Sequence, residues 1–541
     1  MRIATLLFLA ASAAFSQTSE LELHAPAVER ASQQIRAKAI HAHMVFLADD
    51  LLEGRGTATR GHEIAALYVA TQFQIAGLVP GASGTWLHQV PMRRSDLDEA
   101  ASGIVLTRPN GQQNHLAAGR DFVFGAASGE SADLEAPVVF AGYGIVAPEL
   151  HYDDYAGIDA SGKIVAYFSG APSSFAAAAV ARHEPATVKA AAAVAHGAVG
   201  VLRLWMPADE RTSSWDVVVR SLHAPSFTWI EAGAPPEKST PLRGAWLGPA
   251  ASRALFDGSA RSYDDLLAHP EPTTLAVRAR IAKVIRSADV SSPNVVGLIE
   301  GSDPRLRHEY LVISAHADHL GIGEPVNGDA IYNGAIDNAS GVAALIELAR
   351  AVASMPVRPR RSILFLATTG EEPGLIGSDY FAHHPTVPRD AIVADLNIDG
   401  APFWPFDQWV ARGAEHSSAI ARLVDAAASA AGIKVIPDPN PEQNAILGSD
   451  QYSFVKQGIP SLIVQARGAA GRALALAWLR NRYHAPSDDM TQPLDCEEAA
   501  RYARGIFLLA WAIANDDERP RWNQGDALGE QFGNQTTKST N

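Results

Sequence analysis

The sequence predicts an α/β protein in which a doubly wound, mixed and mostly parallel sheet is flanked by helices. After about residue 278, apolar runs of the length of buried strands alternate with helical patterns, as they do when crossover helices join parallel strands. An amphipathic helix is predicted at residues 341–353, where apolar side chains recur at helical spacing. The predicted strands lie at residues 311–315, 362–367, 391–398 and 461–464.

The length of the chain predicts more than one domain. A single hydrophobic core stops growing at about 250 to 300 residues, whereas this chain has 541. Between about residues 134 and 249 the pattern changes to short strands and turns punctuated by glycine, which indicates an inserted α+β, strand-rich domain. The predicted organisation is an export signal at 1–16, a main domain in two parts at 40–125 and 260–515, the insertion at 126–259, and a polar, mobile tail at 516–541.

The main domain is predicted to begin with helical structure between His43 and Pro80. Apolar side chains recur at helical spacing there, and Gly77 is expected to end the last helix. This spacing places Ile64, Leu67, Tyr68, Thr71 and Ile75 on one face.

The composition limits the possible partners and sites. The formal net charge of −15, from 59 acidic and 44 basic residues, argues against nucleic acid as a partner, because a polyanion would be repelled. Cys496 is the only cysteine, which excludes a disulfide framework and a cysteine-based metal site. Any metal must therefore be bound by His, Asp and Glu.

The first residues have the pattern of an export signal. Arg2 supplies positive charge, residues 3–14 form a short apolar run, and small residues precede Gln17, where cleavage is expected. We therefore expect a periplasmic or secreted protein. The apolar run is shorter than the roughly 20 residues that span a bilayer, so no stable membrane anchor is expected.

Residues of the types that bind metals follow the predicted strands or lie in adjoining loops, where open α/β sheets form their sites. Imidazole and carboxylate groups are ligands that zinc accepts, and two zinc ions about 3.5 to 4 Å apart require a shared carboxylate and further ligands for each ion. The segments that supply these groups are His316-Ala-Asp318, Gly334-Ala-Ile-Asp337, Gly370-Glu371-Glu372, Asn397-Ile-Asp399 and Tyr483-His484.

We expect Asp337 to bridge two zinc ions. His316 and Asp399 would complete the ligands of one ion, and Glu372 and His484 those of the other. Clustered carboxylates without cations strongly disfavour their charged forms, and two divalent ions balance them.

Glu371 is expected to be the general base. Because neighbouring residues point different ways, Glu372 can bind metal while Glu371 takes a proton from the water between the metals and passes it to the leaving amine. Asp318, two residues after His316 on an extended chain, is expected to lie behind the His316 ring and fix its orientation. The predicted reaction class is metal-assisted amide hydrolysis.

Five segments form a specific set of motifs: Asn294-Val-Val-Gly-Leu-Ile-Glu-Gly301, His316-Ala-Asp-His-Leu-Gly321, Asn333-Gly-Ala-Ile-Asp-Asn-Ala-Ser-Gly341, Thr369-Gly-Glu-Glu-Pro-Gly-Leu-Ile-Gly-Ser378 and Tyr483-His-Ala-Pro-Ser-Asp488. In this order and spacing they resemble the co-catalytic di-zinc aminopeptidase family, which includes bacterial leucyl aminopeptidase and, more distantly, glutamate carboxypeptidase and the transferrin receptor. The resemblance covers about residues 40–125 and 260–515. It implies the zinc exopeptidase fold and two zinc ions, with Glu371 matching the family's catalytic base.

The insertion is similar to a protease-associated domain, chiefly through residues 140–145, 152–158 and 162–165. The resemblance implies that such a domain lies near the active-site cleft and can limit substrate access. Two positions depart from the family pattern: Ala317 stands where Tyr is common, and Gly448 stands where close relatives often carry Arg. Neither is a ligand, so these departures concern substrate choice.

Together these observations predict a metallo-exopeptidase that hydrolyses the N-terminal bond of peptide substrates. The alternatives are a carboxypeptidase, a glutaminyl cyclase of the same fold, and a receptor-like binding protein without catalysis. A receptor-like protein should show damaged ligands, whereas all five ligands and the base are present. A carboxypeptidase needs a cation for the terminal carboxylate, and the arginines near His484 in the sequence are Arg467, Arg472, Arg480 and Arg482.

Overall fold

The structure is a computed structural model that describes residues 23–124, 131–175, 177–212, 214–222, 225–231, 243–439 and 445–533. The predicted export signal at 1–16 lies outside the described residues. The chain divides into two compact units, one within Met1–Met92 and Val290–Asn541 and the other within Arg93–Asp289. No helix among the described residues is both long enough and apolar enough to cross a bilayer.

A mixed sheet forms the centre of the larger unit. Its order is β2-β3-β7-β4-β8-β11-β9-β10, with β1 beside β3, while β5 and β6 form a separate hairpin. Strands β7, β4, β8 and β11 are parallel, whereas β3 and β9 are antiparallel to their neighbours β7 and β11. The strands are β1 (Val79–Pro80), β2 (Leu87–Leu97), β3 (Ile285–Ile299), β4 (Tyr310–His316), β5 (Gly321–Val326), β6 (Asp329–Tyr332), β7 (Ser362–Thr368), β8 (Ile392–Asn397), β9 (Gln408–Arg412), β10 (Lys434–Val435) and β11 (Ser461–Arg467).

Helices cover both faces of this sheet. Alternate side chains of a strand point to opposite faces, so Ile313 and Phe365 pack with α2, α3, α4 and α9, whereas Val312 and Leu364 pack with α5 and α7. The predicted doubly wound α/β fold is confirmed. The helices are α1 (Pro26–Ser32), α2 (Ala37–Leu47), α3 (Arg60–Ala76), α4 (Ser340–Ala353), α5 (Ile376–His383), α6 (Ser418–Ala430), α7 (Gln451–Lys456), α8 (Arg472–Asn481), α9 (Cys496–Asn515) and α10 (Ala527–Phe532).

The face of α3 that the helical spacing marks is not the buried one. Leu67 is 57% exposed and Ile75 is 70% exposed, while Val69 and Phe73 are fully buried. The buried face contains several alanines and a glycine, whose small size lets the helix lie close to the core. Larger apolar residues lie outside this face, so the spacing of large apolar side chains indicates the wrong side of the helix. The helix does end at Gly77 in a left-handed conformation (φ 88°), as predicted.

The smaller unit is wider than the insertion predicted at 126–259. Its sheet includes the strands Gly103–Thr107 and Thr273–Lys283, which pair with each other in antiparallel register. The unit therefore begins before residue 126 and ends after residue 259. In sheet order its strands are Gln113–Leu116, Gly103–Thr107, Thr273–Lys283, Ala132–Phe140, Ile164–Phe168, Gly200–Leu204, Arg243–Leu247 and Phe122–Phe124. Its helices are Ala177–His183, Ala186–Ala195, Asp209–Thr212, Trp215–Leu222, Pro249–Ala254 and Tyr263–Ala268.

The described part of the polar tail, residues 516–533, packs on the larger unit instead of forming the mobile segment predicted. The indole N–H of Trp522 donates to the carbonyl oxygen of Gly458 at 2.8 Å. His416 Nδ1 lies 2.7 Å from Asp526 Oδ2, at the start of α10. These specific polar contacts hold a segment whose composition alone indicated disorder.

Candidate metal centre

The predicted ligands meet at one edge of the sheet. His316 is the last residue of β4 and pairs with Thr368, the last residue of β7, while Ser314 of β4 pairs with Asn397, the last residue of β8. These strands are parallel, so the loops that follow them leave the sheet on the same side. Those loops carry Glu371 and Glu372 after β7 and Asp399 after β8.

Asp337 lies between two imidazole rings. Its Oδ1 is 3.3 Å from His316 Nε2, and its Oδ2 is 3.3 Å from His484 Nε2. Asp337 belongs to an irregular turn, Ala335–Ala339, that leads into α4, and its peptide bond to Asn338 is cis. One carboxylate thus presents a separate oxygen to each histidine, as a bridging ligand must.

The donor atoms form two sets that share Asp337. In the first, His316 Nε2 is 3.3 Å from Asp399 Oδ1 as well as from Asp337. In the second, His484 Nε2 is 3.2 Å from Glu372 Oε2 and 3.3 Å from Asp337. A tetrahedral zinc ion with bonds of about 2.0 to 2.1 Å separates its ligand atoms by about 3.3 Å, so both sets fit zinc. These five residues are the ones that would hold two ions.

The electrostatics of the site favour positive charge between these groups. Burial alone would lower the pKa of His484, but hydrogen bonds to Asp337 and Glu372 raise it to about 10. Burial and the charge of Asp337 would raise the pKa of Glu372, yet His319 and His484 hold it at about 2. A cluster that retains protons on imidazole and keeps carboxylates ionised also attracts divalent cations.

Glu371 is not needed to complete either set. Burial raises the pKa of Glu371 well above its ordinary value; His316 opposes this shift, and the charges of Asp399 and Glu372 add to it. Glu371, Glu372 and His316 have ligand atoms within 4.8 Å of one another, so the Glu371 carboxyl lies at the centre although it belongs to neither set. This position suits a group that exchanges protons with a reactant.

Asp318 has a different role from the one predicted. The group that faces His316 Nδ1 is the main-chain carbonyl oxygen of Asp318, at 3.2 Å. The carboxylate of Asp318 points toward the loop after β7, where it accepts from the backbone N–H of Glu371 at 3.1 Å and of Glu372 at 3.4 Å. The alternation of an extended chain does not continue past the end of β4, so the side chain of Asp318 orients the glutamate loop and its backbone orients the His316 ring.

His319 was not assigned a role from the sequence, although it lies within a quoted motif. Its ligand nitrogen is within 4.8 Å of oxygens of Asp337 and Glu372, and its Nδ1 is 2.5 Å from Glu372 Oε1. That separation is the length of a short hydrogen bond and is too small for two ligands of one zinc ion. His484 therefore fits the ligand position better, and His319 fixes the orientation of Glu372.

Residues 294–510 match the profile of peptidase family M28. This segment contains every ligand of both sets and Glu371, and the predicted resemblance to zinc aminopeptidases is confirmed. Among the solved structures the chain is similar to an aminopeptidase from Aneurinibacillus sp. strain AM-1 (TM-score 0.58, 17% identity, 91% of this chain and 99% of that chain). It is also similar to BSAP, a zinc aminopeptidase from Bacillus subtilis (TM-score 0.51, 17% identity, 90% and 96%). At this identity the likeness shows the fold.

Curated relatives match shorter parts of the chain. A probable zinc metalloprotease of Pyricularia oryzae is 41% identical over 97 residues, which are 18% of each chain. Aminopeptidase NAALADL1 of Mus musculus is 33% identical over 118 residues, which are 21% of this chain and 14% of that protein. The chain thus spans less than a fifth of the length of either relative.

Asp488 joins the His484 loop to the Asp337 turn. Its carboxylate accepts from the backbone N–H of Ile336 and of Asp337, both at 3.1 Å through Oδ2, and from the indole N–H of Trp478 at 3.1 Å. Because Asp488 follows His484 by four residues, these bonds tie the His484 loop to the turn that carries Asp337. The motif around Asp488 carries no signal for this role in the sequence.

Proposed function

We propose that this protein is a zinc-dependent exopeptidase with two zinc ions per chain, acting as an aminopeptidase on peptide substrates. The observation that carries the proposal is the placement of Asp337, whose two oxygens each lie 3.3 Å from a different histidine nitrogen. This is the arrangement a carboxylate needs to serve two ions at once. The match of residues 294–510 to peptidase family M28 supports hydrolysis of peptide bonds as the reaction.

Bound zinc would polarise the scissile carbonyl and lower the pKa of the attacking water. In this mechanism the side chain of Glu371 takes a proton from that water and delivers it to the leaving amine. Asp318 positions Glu371 through the backbone N–H that it accepts at 3.1 Å. His319 holds Glu372 so that its other oxygen faces His484.

The centre is open to a substrate beside Asp399. The side chain of Asp399 is 27% exposed, whereas that of His316 is 1% exposed. The terminus of a peptide can therefore reach the ligands from the Asp399 side.

The arginines considered for a carboxypeptidase already have partners in two cases. Arg482 Nη1 donates to the carbonyl oxygen of Ser487, and Arg467 Nη2 donates to Gln465 Oε1 at 2.8 Å. These two side chains already donate to acceptors within the protein, which favours the aminopeptidase over the carboxypeptidase.

The test compares leucine p-nitroanilide with N-acetyl-leucine p-nitroanilide, and a peptide amide with the same peptide as a free acid. We expect hydrolysis of the free-amine anilide, little or none of the acetylated form, equal cleavage of both peptide forms, and loss of all activity on chelation with recovery on adding Zn²⁺. Equal turnover of the two anilides would refute the aminopeptidase assignment. Activity that survives complete chelation would refute the zinc centre.

We also propose that the protein is exported and that its smaller unit is a protease-associated domain. The N-terminal charge and apolar run support export, and the glycine-rich segments of the smaller unit support the second assignment. Sequencing the N-terminus of the protein recovered from periplasm and medium tests export, with cleavage expected before Gln17. A mature chain that retains Met1 would contradict it.

A further inference from the structure

A short segment before α3, residues 53–58, lies directly against the loops of the metal centre. Glu53 and Arg55 have positive φ, at 49° and 51°. Non-glycine residues are strained in this conformation, so surrounding contacts must hold them there. Gly54, at φ 67°, packs so closely that an added Cβ would lie 2.4 Å from the carbonyl oxygen of Tyr332. The segment is therefore fixed to the backbone of the hairpin that precedes the Asp337 turn.

The guanidinium of Arg55 donates to main-chain carbonyl oxygens of three separate segments. Its Nε donates to Ala317 at 3.0 Å, its Nη1 to Asn333 at 2.6 Å, and its Nη2 to Gly334 at 3.0 Å. Nη1 also donates to Leu47, at the end of α2. Arg55 is 1% exposed, so these contacts are protected from water.

The acceptors of Arg55 adjoin two metal ligands. Ala317 directly follows His316, and Gly334 precedes Asp337 by three residues. A planar guanidinium with donors in a fixed fork holds its acceptors at defined separations, which a flexible ammonium group does not do. Arg55 therefore sets the distance between the loop that carries His316 and the turn that carries Asp337.

Thr57 makes a second connection from the same segment. Its Oγ1 donates to Asp318 Oδ2 at 2.9 Å. Asp318 is the residue whose carboxylate accepts from the backbone of Glu371 and Glu372. The main-chain carbonyl of Arg55 also accepts from the N–H of His319 at 3.2 Å. The 53–58 segment thus contacts the loop after β4, the start of the Asp337 turn and the carboxylate that orders the loop after β7.

We propose that Arg55 and Thr57 are positioning residues of the metal centre, which fix the spacing of His316, Asp337 and the Glu371–Glu372 loop before any metal binds. The proposal rests on the zinc-binding part of the proposed function. It assigns a role at the site to the N-terminal part of the larger unit, which supplies no ligand of its own.

The experiment compares the variants Arg55→Lys and Thr57→Val with the wild type and with Arg361→Lys as a matched control. Arg361 is also fully buried and donates to a carbonyl oxygen, that of Ile513, at 3.0 Å. It lies just before β7, at the end of that strand away from the ligands, and seven residues of strand span about 20 Å. The full-length proteins are compared for zinc affinity by chelator competition, for zinc stoichiometry, for the visible spectrum of their Co²⁺ forms, and for the melting temperature of the metal-free protein.

We expect both variants to bind zinc about 10- to 100-fold more weakly than the wild type and to shift the Co²⁺ ligand-field bands, as loss of groups that orient ligands does. Arg361→Lys should lower the melting temperature without changing affinity or spectrum. Wild-type zinc affinity and Co²⁺ spectrum in both variants would overturn the proposal, and so would equal weakening of zinc binding in Arg361→Lys. If Arg55→Lys does not fold, Thr57→Val decides the outcome. A wild type that binds two zinc ions but hydrolyses no peptide would refute the proposed function and leave this proposal standing.

Discussion

Glu371 and Glu372 are neighbours in the chain, yet their replacement by glutamine should have opposite consequences. Glutamine keeps the shape of the side chain but can neither accept a proton at neutral pH nor carry a negative charge. Glu372→Gln alters an oxygen that lies 3.2 Å from His484 Nε2 in one ligand set. Glu371→Gln alters a group that is not required to complete either set. Glu372→Gln should therefore lose metal, whereas Glu371→Gln should lose only the proton transfer.

The expected magnitudes separate the two variants clearly. General base catalysis contributes about 10²- to 10⁴-fold, or about 2.7 to 5.5 kcal/mol, so Glu371→Gln should lower kcat by that factor with KM and zinc content nearly unchanged. Glu372→Gln replaces a carboxylate ligand and also alters the group that faces His319 at 2.5 Å. Loss of a residue that only orients a ligand weakens metal binding by up to about 100-fold, so zinc affinity should fall by more than that in this variant.

The assay measures leucine p-nitroanilide hydrolysis and zinc content on the same samples, at a low and at a high buffered concentration of free zinc. The high concentration should restore part of the activity of Glu372→Gln and none of that of Glu371→Gln. If Glu371→Gln kept activity within a few-fold of the wild type while binding two zinc ions, Glu371 would not be the general base. If Glu371→Gln lost zinc and Glu372→Gln retained it, the ligand assignment of the pair would be reversed.

Further expectations concern the backbone, the core and the smaller unit. Gly334→Ala should lower stability by about 1 to 3 kcal/mol or more and reduce zinc content, since at φ 59° an added Cβ would lie 2.1 Å from the carbonyl oxygen of Asp337; wild-type zinc content would contradict this. Phe73→Ala should cost about 3 to 5 kcal/mol in urea unfolding because the ring is fully buried, whereas Ile75→Ala, at 70% exposure, should stay within about 0.5 kcal/mol. Burial lowers the pKa of Lys189 to about 8 from its ordinary 10.5, so the folded state binds fewer protons than the unfolded state between these pH values. The free energy of unfolding of the wild type should therefore rise by up to about 3 kcal/mol, relative to that of Lys189→Met, as the pH rises from 8 to 10.5. A difference in unfolding free energy that does not vary over this pH range would refute the Lys189 expectation.

The strands of the larger unit were predictable because burial on both faces leaves continuous apolar runs in the sequence. The run predicted at 461–464 lies within β11, Ser461–Arg467, and the run at 311–315 lies within β4, Tyr310–His316. The face of α3 was not predictable in the same way, because periodicity weighs large side chains and the actual contact uses small ones. The limits of the smaller unit were missed because Gly103–Thr107 and Thr273–Lys283 become neighbours only through long-range pairing.

The grouping of the candidate ligands was predictable from topology, since parallel strands bring the loops after their carboxyl ends to one edge. The pairs of atoms that face each other within the site were not predictable from topology. Asp318 and His316 are two residues apart, and simple strand alternation assigned the orienting contact to the side chain. The chain turns after His316, however, so the carbonyl of Asp318 takes that contact and the carboxylate is released to the glutamate loop.

The residues missed altogether share one property, namely that their partners lie far away in the sequence. Arg55 donates to residues 262, 278 and 279 positions later in the chain, and no local pattern marks an arginine whose acceptors are carbonyl oxygens. Clustered carboxylates need cations, and that charge makes the ligands recognisable in the sequence. Arg55 and Thr57 act on geometry, which the composition of the chain does not record. Their side chains fix where the charges lie, so the preorganisation of the site comes from a part of the chain that contributes no ligand.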